Sequence, residues 1–432
     1  MSRWKRVGIC SGIALLLLGG VPTLWYQMRY ARPLASPRER VLPKGYSPKV
    51  TNGFDTLEEA IYLVSDPRLK ERPTNSYPER AAECERVIAA NQEFLATTRE
   101  ALEQQFLVPA PYPFRVYSEH WDQLESVGMA YAVVGNLPEA LRCALDLIEL
   151  GVLLPSGGEL SARDDGQNYE FQGRQLAWLQ VGHVDATTAR EAIARLDKIE
   201  KRRSSLPESL REELRQKQVG QRLTMYRKGP VALWRTILFF RTIQKKKETD
   251  DLWDQVKTVT GGPQSLLDLS DRWVERAQKR LEQPWNPVRP ALGYESLTDP
   301  LTGEASSDPC HLGIYKTLER NEYLHRTDSA LLRDYLMLRI YKLEPGSYPK
   351  SMEKSTDASL PELPIDPFSP THARLHYKLD ADGDTFTLWS VGPDAKDDGG
   401  KSLKSDPDKL ILGCRNGWVC WVRARREMWW RT

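Results

Sequence analysis

Residues 363–400 read LPIDPFSPTHARLHYKLDADGDTFTLWSVGPDAKDDGG and contain the clearest fold signal in the chain. Two segments of alternating apolar and polar residues, Arg374–Leu379 and Thr385–Val391, are joined by the sequence DADGD. An Asp-Gly pair favours a tight hairpin turn, because such a turn needs positive φ angles. The stretch therefore predicts an antiparallel hairpin, followed by a loop rich in carboxylates and glycines.

The segment before this hairpin predicts a core helix. Residues 329–343 read SALLRDYLMLRIYKL, and their apolar residues cover much of the circumference of a helix. The order helix, hairpin and acidic loop predicts a small module in which one helix packs on an antiparallel sheet.

Several motifs of this module occur in a recognisable order. They are a Gly-x-Tyr-Pro segment, an Asp-Pro-aromatic motif, a tyrosine-bearing strand and a Ser-x-Gly-Pro-Asp loop, formed by Gly346, Tyr348, Pro349, Asp366, Pro367, Phe368, Tyr377, Ser390, Gly392, Pro393, Asp394, Asp397 and Asp398. The module resembles the globular part of type II secretion major pseudopilins. The resemblance implies a structural calcium ion, bound by Asp394, Asp397 and Asp398.

Calcium takes oxygen ligands from such loops, but an Asp- and Gly-rich segment can also be an ordinary soluble turn. The neighbouring series Asp380, Asp382 and Asp384 is similar to the start of an EF-hand. However, its sixth position is Thr385 and its twelfth is Val391, which excludes an EF-hand.

The chain also departs from the pseudopilin pattern. It lacks the short leader and the long N-terminal helix that serves that family as both anchor and assembly surface. Its own apolar N-terminus is separated from the module by a long helical region. We therefore expect a reused module at the end of an envelope protein, with no assembly into a pseudopilus.

The N-terminus predicts a membrane anchor. Val7–Tyr26 contains no charged residue, follows Arg3, Lys5 and Arg6, and is long enough to span a bilayer. A cleaved signal peptide is the alternative, although no small-x-small cleavage site follows. The arginines after the segment favour a cytoplasmic body, whereas its signal-like architecture and the resemblance favour the periplasm. We predict a single-pass protein of the bacterial inner membrane with a periplasmic C-terminal region.

Residues 55–285 have a helical pattern, which predicts a bundle or an irregular solenoid. Helices are expected at 77–106, 117–134, 138–153 and 186–202, with Asp55 as the cap of an earlier one, and further helices at 207–226, 230–245 and 265–281. The hairpin around Gly128, Tyr131, Gly135 and Ala140 resembles one tetratricopeptide unit, but an ordinary helical hairpin fits equally. Because a stable solenoid needs about three units, one unit alone does not identify that fold.

The predicted organisation is mainly α. It comprises an anchor at 1–32, a linker at 33–54, the helical domain at 55–285, a Pro- and Gly-rich linker at 286–326, the pseudopilin-like α+β module at 327–405, and a Trp- and Arg-rich tail hairpin at 406–432.

The cysteines have no metal-type spacing. Cys84 and Cys143 lie on apolar helix faces and are expected to be buried. In the tail, a three-residue turn at Asn416-Gly417 would place Cys414 opposite Cys420, within disulfide range, whereas a two-residue turn would place them on different faces. The tail is either a last strand or a contact with a membrane or an anionic partner.

The composition bounds the function. Lys and Arg total 61 and Asp and Glu total 59, which disfavours a nucleic-acid binder. The sequence has no His-Glu-x-x-His, Gly-x-Ser-x-Gly or phosphate-binding glycine loop. We therefore expect a non-enzymatic, membrane-anchored scaffold whose helical domain binds a protein partner. The alternatives are an envelope hydrolase, with a site built around His120 or His183, and an accessory secretion component.

Overall fold

The computed structural model describes residues 40, 42–43, 45–64, 77–109, 117–213, 215–216, 279, 283, 286, 309–351, 364–381, 383–397, 399–400 and 421–423. The chain divides into two compact units. One comprises residues 41–213, 280–290 and 316–432 and contains nearly all of the described elements. The other comprises 1–40, 214–279 and 291–315, and most of it lies outside the described residues.

The described part is mainly helical, in agreement with the predicted class. Its helices are α1 (Gly53–Tyr62), α2 (Tyr77–Ala90), α3 (Gln92–Glu103), α4 (Tyr117–Val133), α5 (Leu137–Leu153), α6 (Leu160–Val181), α7 (Ala186–Arg202) and α8 (Pro309–Leu343). Its strands are β1 (His376–Leu379), β2 (Phe386–Trp389) and β3 (Trp421–Arg423).

The first helices differ locally from the predictions. The cap of α1 is Asn52, whose side chain accepts a hydrogen bond from the Phe54 amide, and Asp55 lies in the first turn. The long helix predicted at 77–106 is divided into α2 and α3 at Asn91, whose side-chain amide donates to the carbonyl of Val87 at 2.8 Å. A side chain that competes with the backbone in this way favours an interruption.

The hairpin of α4 and α5 has the predicted bounds to within a residue. Gly135 adopts a φ of +82°, which suits a turn between helices, and Asn136 caps α5 by accepting from the Glu139 amide. A Cβ at Gly128 would lie 2.5 Å from Leu176 Cδ2 and 3.1 Å from Cys143 Cβ. The small residue therefore permits α4, α5 and α6 to approach closely, as expected.

Helix α6 was not predicted, yet it is the helix that packs most extensively on α5. The two backbones meet at glycines: a Cβ at Gly151 would lie 2.5 Å from the carbonyl oxygen of Gly166, and one at Gly173 would lie 2.7 Å from that of Ala144. Such contacts leave no room for a side chain, since neither backbone can move away. The α5–α6 pair forms the centre of the helical region.

Helix α8 begins at Pro309, well before the predicted start at Ser329. It precedes a three-stranded sheet of order β1-β2-β3, in which both pairs are antiparallel. The predicted hairpin is confirmed, with Leu379 opposite Phe386, but residues 380–385 form a longer loop than a two-residue turn. Residues 421–423 of the tail supply β3, while the predicted Cys414–Cys420 pair lies outside the described residues.

A continuous apolar core links the helices and the sheet. It includes Leu147 and Ile148 of α5, Leu336 of α8 and Phe386 and Leu388 of β2. Cys84 and Cys143 are buried free thiols, as predicted. Among the described residues, no helix is long and apolar enough to cross a membrane, and the predicted anchor at 1–32 falls outside them.

Candidate functional site

The most unusual site in the described chain is a group of buried and part-buried polar side chains, most of them charged, that meets at one face of α6. We call this group the arginine–glutamate cluster. It consists of Arg163, Glu170 and Arg174 from α6, Arg203 directly after α7, and Glu322 and His325 from α8. The α6 members are spaced seven and four residues apart, which places them on a common helix face.

Arg163 is 1% exposed, and all three of its guanidinium nitrogens donate hydrogen bonds. Nη1 lies 3.0 Å from Glu322 Oε2, Nε lies 3.1 Å from Ser209 Oγ, and Nη2 lies 2.9 Å from the carbonyl oxygen of Ser204. One side chain of α6 thereby holds both the segment after α7 and the distant helix α8.

Glu170 pairs with two arginines at once. Arg203 binds it in a bidentate manner, with both nitrogen–oxygen distances at 2.8 Å, and Arg174 donates to Oε2 at 2.9 Å. Burial alone would raise the pKa of the Glu170 carboxyl, but the two guanidinium groups outweigh burial and lower it well below its ordinary range. Glu170 is therefore a permanent anion.

His325 completes the cluster as a neutral acceptor. Arg174 donates to its Nδ1 through Nη2. Burial, reinforced by the positive charge of Arg174, lowers the pKa of His325 to about 3. The imidazole is consequently uncharged at physiological pH.

A second network surrounds α5, whose acidic residues Asp146 and Glu149 are at most 1% exposed. Asp146 accepts from Arg99 of α3 at 2.9 Å and from Arg195 of α7 at 2.6 Å. Glu149 accepts from Arg195 at 2.9 Å and from Arg202 at 2.6 Å. Helix α7 therefore packs on α5 through arginines that neutralise its buried carboxylates.

Both networks have the chemistry of ion pairs that hold segments of a chain together. Each buried carboxylate is matched by guanidinium donors, and such closed pairs hold segments together instead of offering a group to a substrate. The pairs connect residues far apart in sequence, as in Arg163–Glu322, and a separate pair, Arg333–Asp197 at 2.9 Å, joins α8 to α7 in the same way.

The histidines proposed for a hydrolase site occupy different environments. His120 is fully buried, packs against the ring of Phe94 in a tilted arrangement and shares a 3.2 Å hydrogen bond with Thr98. Burial lowers its pKa to about 3, so it remains neutral inside the core. His183 follows α6, and its pKa is lowered by burial and by the positive charge of Arg339 of α8.

The motif residues of the module are brought together around a buried aspartate. Asp366 is 1% exposed and accepts from the amides of Phe368 and Val391 and from Ser390 Oγ, at 2.8–2.9 Å. Tyr377 donates to the carbonyl of Pro349 at 2.8 Å. The bonds to Asp366 attach the Asp-Pro turn to the residues directly after β2, and the Tyr377 bond attaches β1 to the segment after α8.

The predicted calcium residues lie beyond β2. Asp394 Oδ1 accepts from the Lys396 amide at 3.2 Å, and Asp397 Oδ1 accepts from Trp389 Nε1 at 2.9 Å. Asp398 lies outside the described residues. Among the residues that the structure does describe, no group of three or more His, Cys, Asp or Glu side chains is arranged to hold a metal ion.

Sequence reasoning missed the arginine–glutamate cluster because charged and glycine residues interrupt the apolar pattern of α6. For the second network a signal was present in α5, where Asp146 and Glu149 interrupt a strongly apolar helix. Comparisons of the chain with known protein families, with curated proteins and with solved structures give no match.

Proposed function

We propose that the protein is a non-enzymatic scaffold of the bacterial inner membrane. In this proposal residues 1–32 anchor the chain, the C-terminal region faces the periplasm, and the helical region binds a protein partner. The sheet module, similar to that of pseudopilins, is a fixed part of the scaffold.

The observation that carries the proposal is that buried ion pairs connect separate segments of the helical region. Glu170 and Glu322, the carboxylates of the arginine–glutamate cluster, are at most 5% exposed and paired with arginine. A scaffold needs such rigid connections because its parts must keep a fixed arrangement when a partner binds to only one of them.

Exposed apolar side chains provide the partner contacts that the proposal needs. Tyr62 at the end of α1 is 89% exposed, Leu179 of α6 is 45% exposed, and Ile365 before the sheet is 52% exposed. A buried aromatic or aliphatic side chain commonly anchors a protein interface.

The topology is tested with a reporter fused after Thr432. Alkaline phosphatase activity in the membrane fraction is expected, because this enzyme folds only in an oxidising compartment. Activity of a cytoplasmic reporter at the same position, with an inactive phosphatase fusion, would overturn the periplasmic orientation.

The scaffold function is tested by photo-crosslinking in membranes. A photoreactive amino acid at Leu179 or Tyr62 is expected to yield a discrete adduct with one protein, while the same residue at the exposed charged position Lys198 serves as the control. Specific labelling of the purified chain by a fluorophosphonate probe, which marks serine hydrolases, would favour the enzyme alternative instead.

A further inference from the structure

The loop after β2 closes through contacts with the sheet. It contains Ala395 with a φ of +55°, and Gly399 and Gly400 with φ of +72° and +70°. A Cβ at Gly400 would lie 3.1 Å from the ring of Trp389. The loop backbone therefore lies directly on a side chain of β2.

Asp397 is the residue that joins the loop to that side chain. Its Oδ1 accepts two hydrogen bonds of 2.9 Å, from the indole Nε1 of Trp389 and from the amide of Gly399. Its Oδ2 lies 3.5 Å from Nδ1 of His376. Both carboxylate oxygens thus face nitrogen groups of this chain.

The nitrogen groups are themselves held in place by the sheet. Trp389 is 6% exposed, and its ring stacks on that of His376 with centroids 5.3 Å apart and planes inclined by 17°. His376 and Trp389 are directly opposite in the β1–β2 register. The two nitrogen groups therefore reach Asp397 from adjacent strands.

This arrangement does not fit a calcium site centred on Asp397. Calcium requires about six to eight oxygen ligands. Here Oδ1 is occupied by two N–H donors and Oδ2 faces an imidazole, while Asp394 is turned toward the amide of Lys396. Within the described part of the chain, no three His, Cys, Asp or Glu side chains are grouped so as to hold a metal ion here.

We propose that the loop is fastened by the Trp389–Asp397 hydrogen bond and the adjoining His376, in place of a calcium ion. The module then keeps its fold and stability in the absence of the metal. Trp389 is a positioning residue for the loop, a role that no pattern in the sequence indicates.

The experiment uses the purified full-length chain, with calcium chloride or a chelator, and measures both thermal unfolding and amide hydrogen exchange in residues 392–400. Wild-type protein is expected to give the same melting temperature and the same exchange in both buffers. Trp389→Phe keeps the ring but removes its donor, so exchange in the loop is expected to become about tenfold faster in both buffers, as for a lost hydrogen bond to a charged group.

Two substitutions in the loop distinguish a loop held by the Trp389–Asp397 hydrogen bond from a loop held by a bound metal ion. Asp397→Ala removes the acceptor at an exposed position, and should accelerate exchange as Trp389→Phe does, which keeps the test valid if the tryptophan variant does not fold. Asp394→Asn is the matched control and should leave exchange unchanged. A calcium-induced rise in melting temperature that Asp394→Asn and Asp397→Ala both abolish would overturn the proposal, as would unchanged loop exchange in Asp397→Ala.

Discussion

Helices α5 and α6 pack against one another and are both largely buried, but they are buried by different means. From Cys143 to Leu153, every residue of α5 is buried, and most are apolar. Helix α6 buries Arg163, Glu170 and Arg174 beside two glycines that touch the backbone of α5. The buried surface of α5 is mainly apolar, although it includes the paired Asp146 and Glu149, whereas α6 adds three buried charged side chains and two glycines to its apolar residues.

The difference shows that the buried face of a helix need not be apolar. An apolar helix tolerates small changes of shape, with a cost that grows with the cavity left behind. A buried ion pair behaves differently, because removing one partner leaves the other charged and without compensation. We therefore expect α6 to be less tolerant of conservative substitutions than α5.

Glu170→Gln is expected to have the largest effect. The change removes the negative charge between Arg174 and Arg203, both of which are buried, and should lower the free energy of unfolding by about 3–5 kcal/mol. Urea unfolding of the purified chain measures the effect.

The control for Glu170→Gln is Glu139→Gln on α5. Glu139 also pairs with two arginines, Arg99 and Arg142, but its side chain is 23% exposed. Because water screens such a pair, its loss should cost about 1 kcal/mol or less. Equal effects for the two variants would contradict the distinction between buried and exposed pairing.

Gly166→Ala tests the backbone contact between the two helices. The added methyl group would meet the carbonyl oxygen of Gly151, so the helices must separate, at an expected cost of about 3 kcal/mol. Gly182→Ala is the matched control, because its Cβ would lie at an ordinary 3.4 Å from the hydroxyl of Tyr335. Thermal unfolding compares the two, and a control as unstable as Gly166→Ala would refute the steric explanation.

The same contrast explains which parts of the fold were predictable. Periodic apolar residues correctly indicated α4, α5 and α7, and alternation with an Asp-Gly signal indicated the β1–β2 hairpin. Helix α6 was missed because its buried face carries Arg163, Gly166, Glu170 and Arg174, which a hydrophobic pattern treats as solvent-facing. The identity of their partners depends on α8, whose residues lie about 150 positions further along the chain.

The acidic loop after β2 was predictable only in part. Sequence motifs indicated that Asp394 and Asp397 belong to one acidic loop after a strand. They did not indicate that Trp389 donates to Asp397, because this contact requires the indole to fold over the loop. The direction of a side chain near a turn is set by tertiary packing, and a local sequence pattern carries no information about that packing.

Asp334 of α8 offers a third case, a buried carboxyl with one oxygen that has no donor among the described residues. It is 2% exposed, and its Oδ1 has no hydrogen-bond partner among the described residues. Burial raises its pKa from 3.8 to about 8, although Arg333 and Arg374 act in the opposite direction. Between these two values the folded protein binds a proton that the unfolded chain has released, so stability falls as the pH rises, by up to about 1.4 kcal/mol per pH unit.

Asp334→Asn should remove this pH dependence. The variant is expected to be more stable than wild type at pH 8, by several kcal/mol, and similar to it at about pH 3, where Asp334 is mostly protonated in both the folded and the unfolded state. Urea unfolding at the two pH values provides the measurement. A variant that is less stable than wild type at pH 8, and less destabilised at about pH 3, would instead show that Asp334 is ionised and paired in the folded protein.

The smallest effect is expected at the surface of the same helical region. Lys198 of α7 donates to Glu103 of α3 at 2.6 Å, but the two side chains are 51% and 67% exposed. Lys198→Ala should change the free energy of unfolding by about 0.5 kcal/mol or less, because solvent screens the pair and ordering it costs side-chain entropy. Arg195, one turn earlier on α7, contacts the buried Asp146 and Glu149, so Arg195→Ala should cost several times more in the same urea titration. If the two substitutions cost about the same, burial of the carboxylate does not decide how much an ion pair contributes to stability, and the explanation given for α5 and α6 would be wrong.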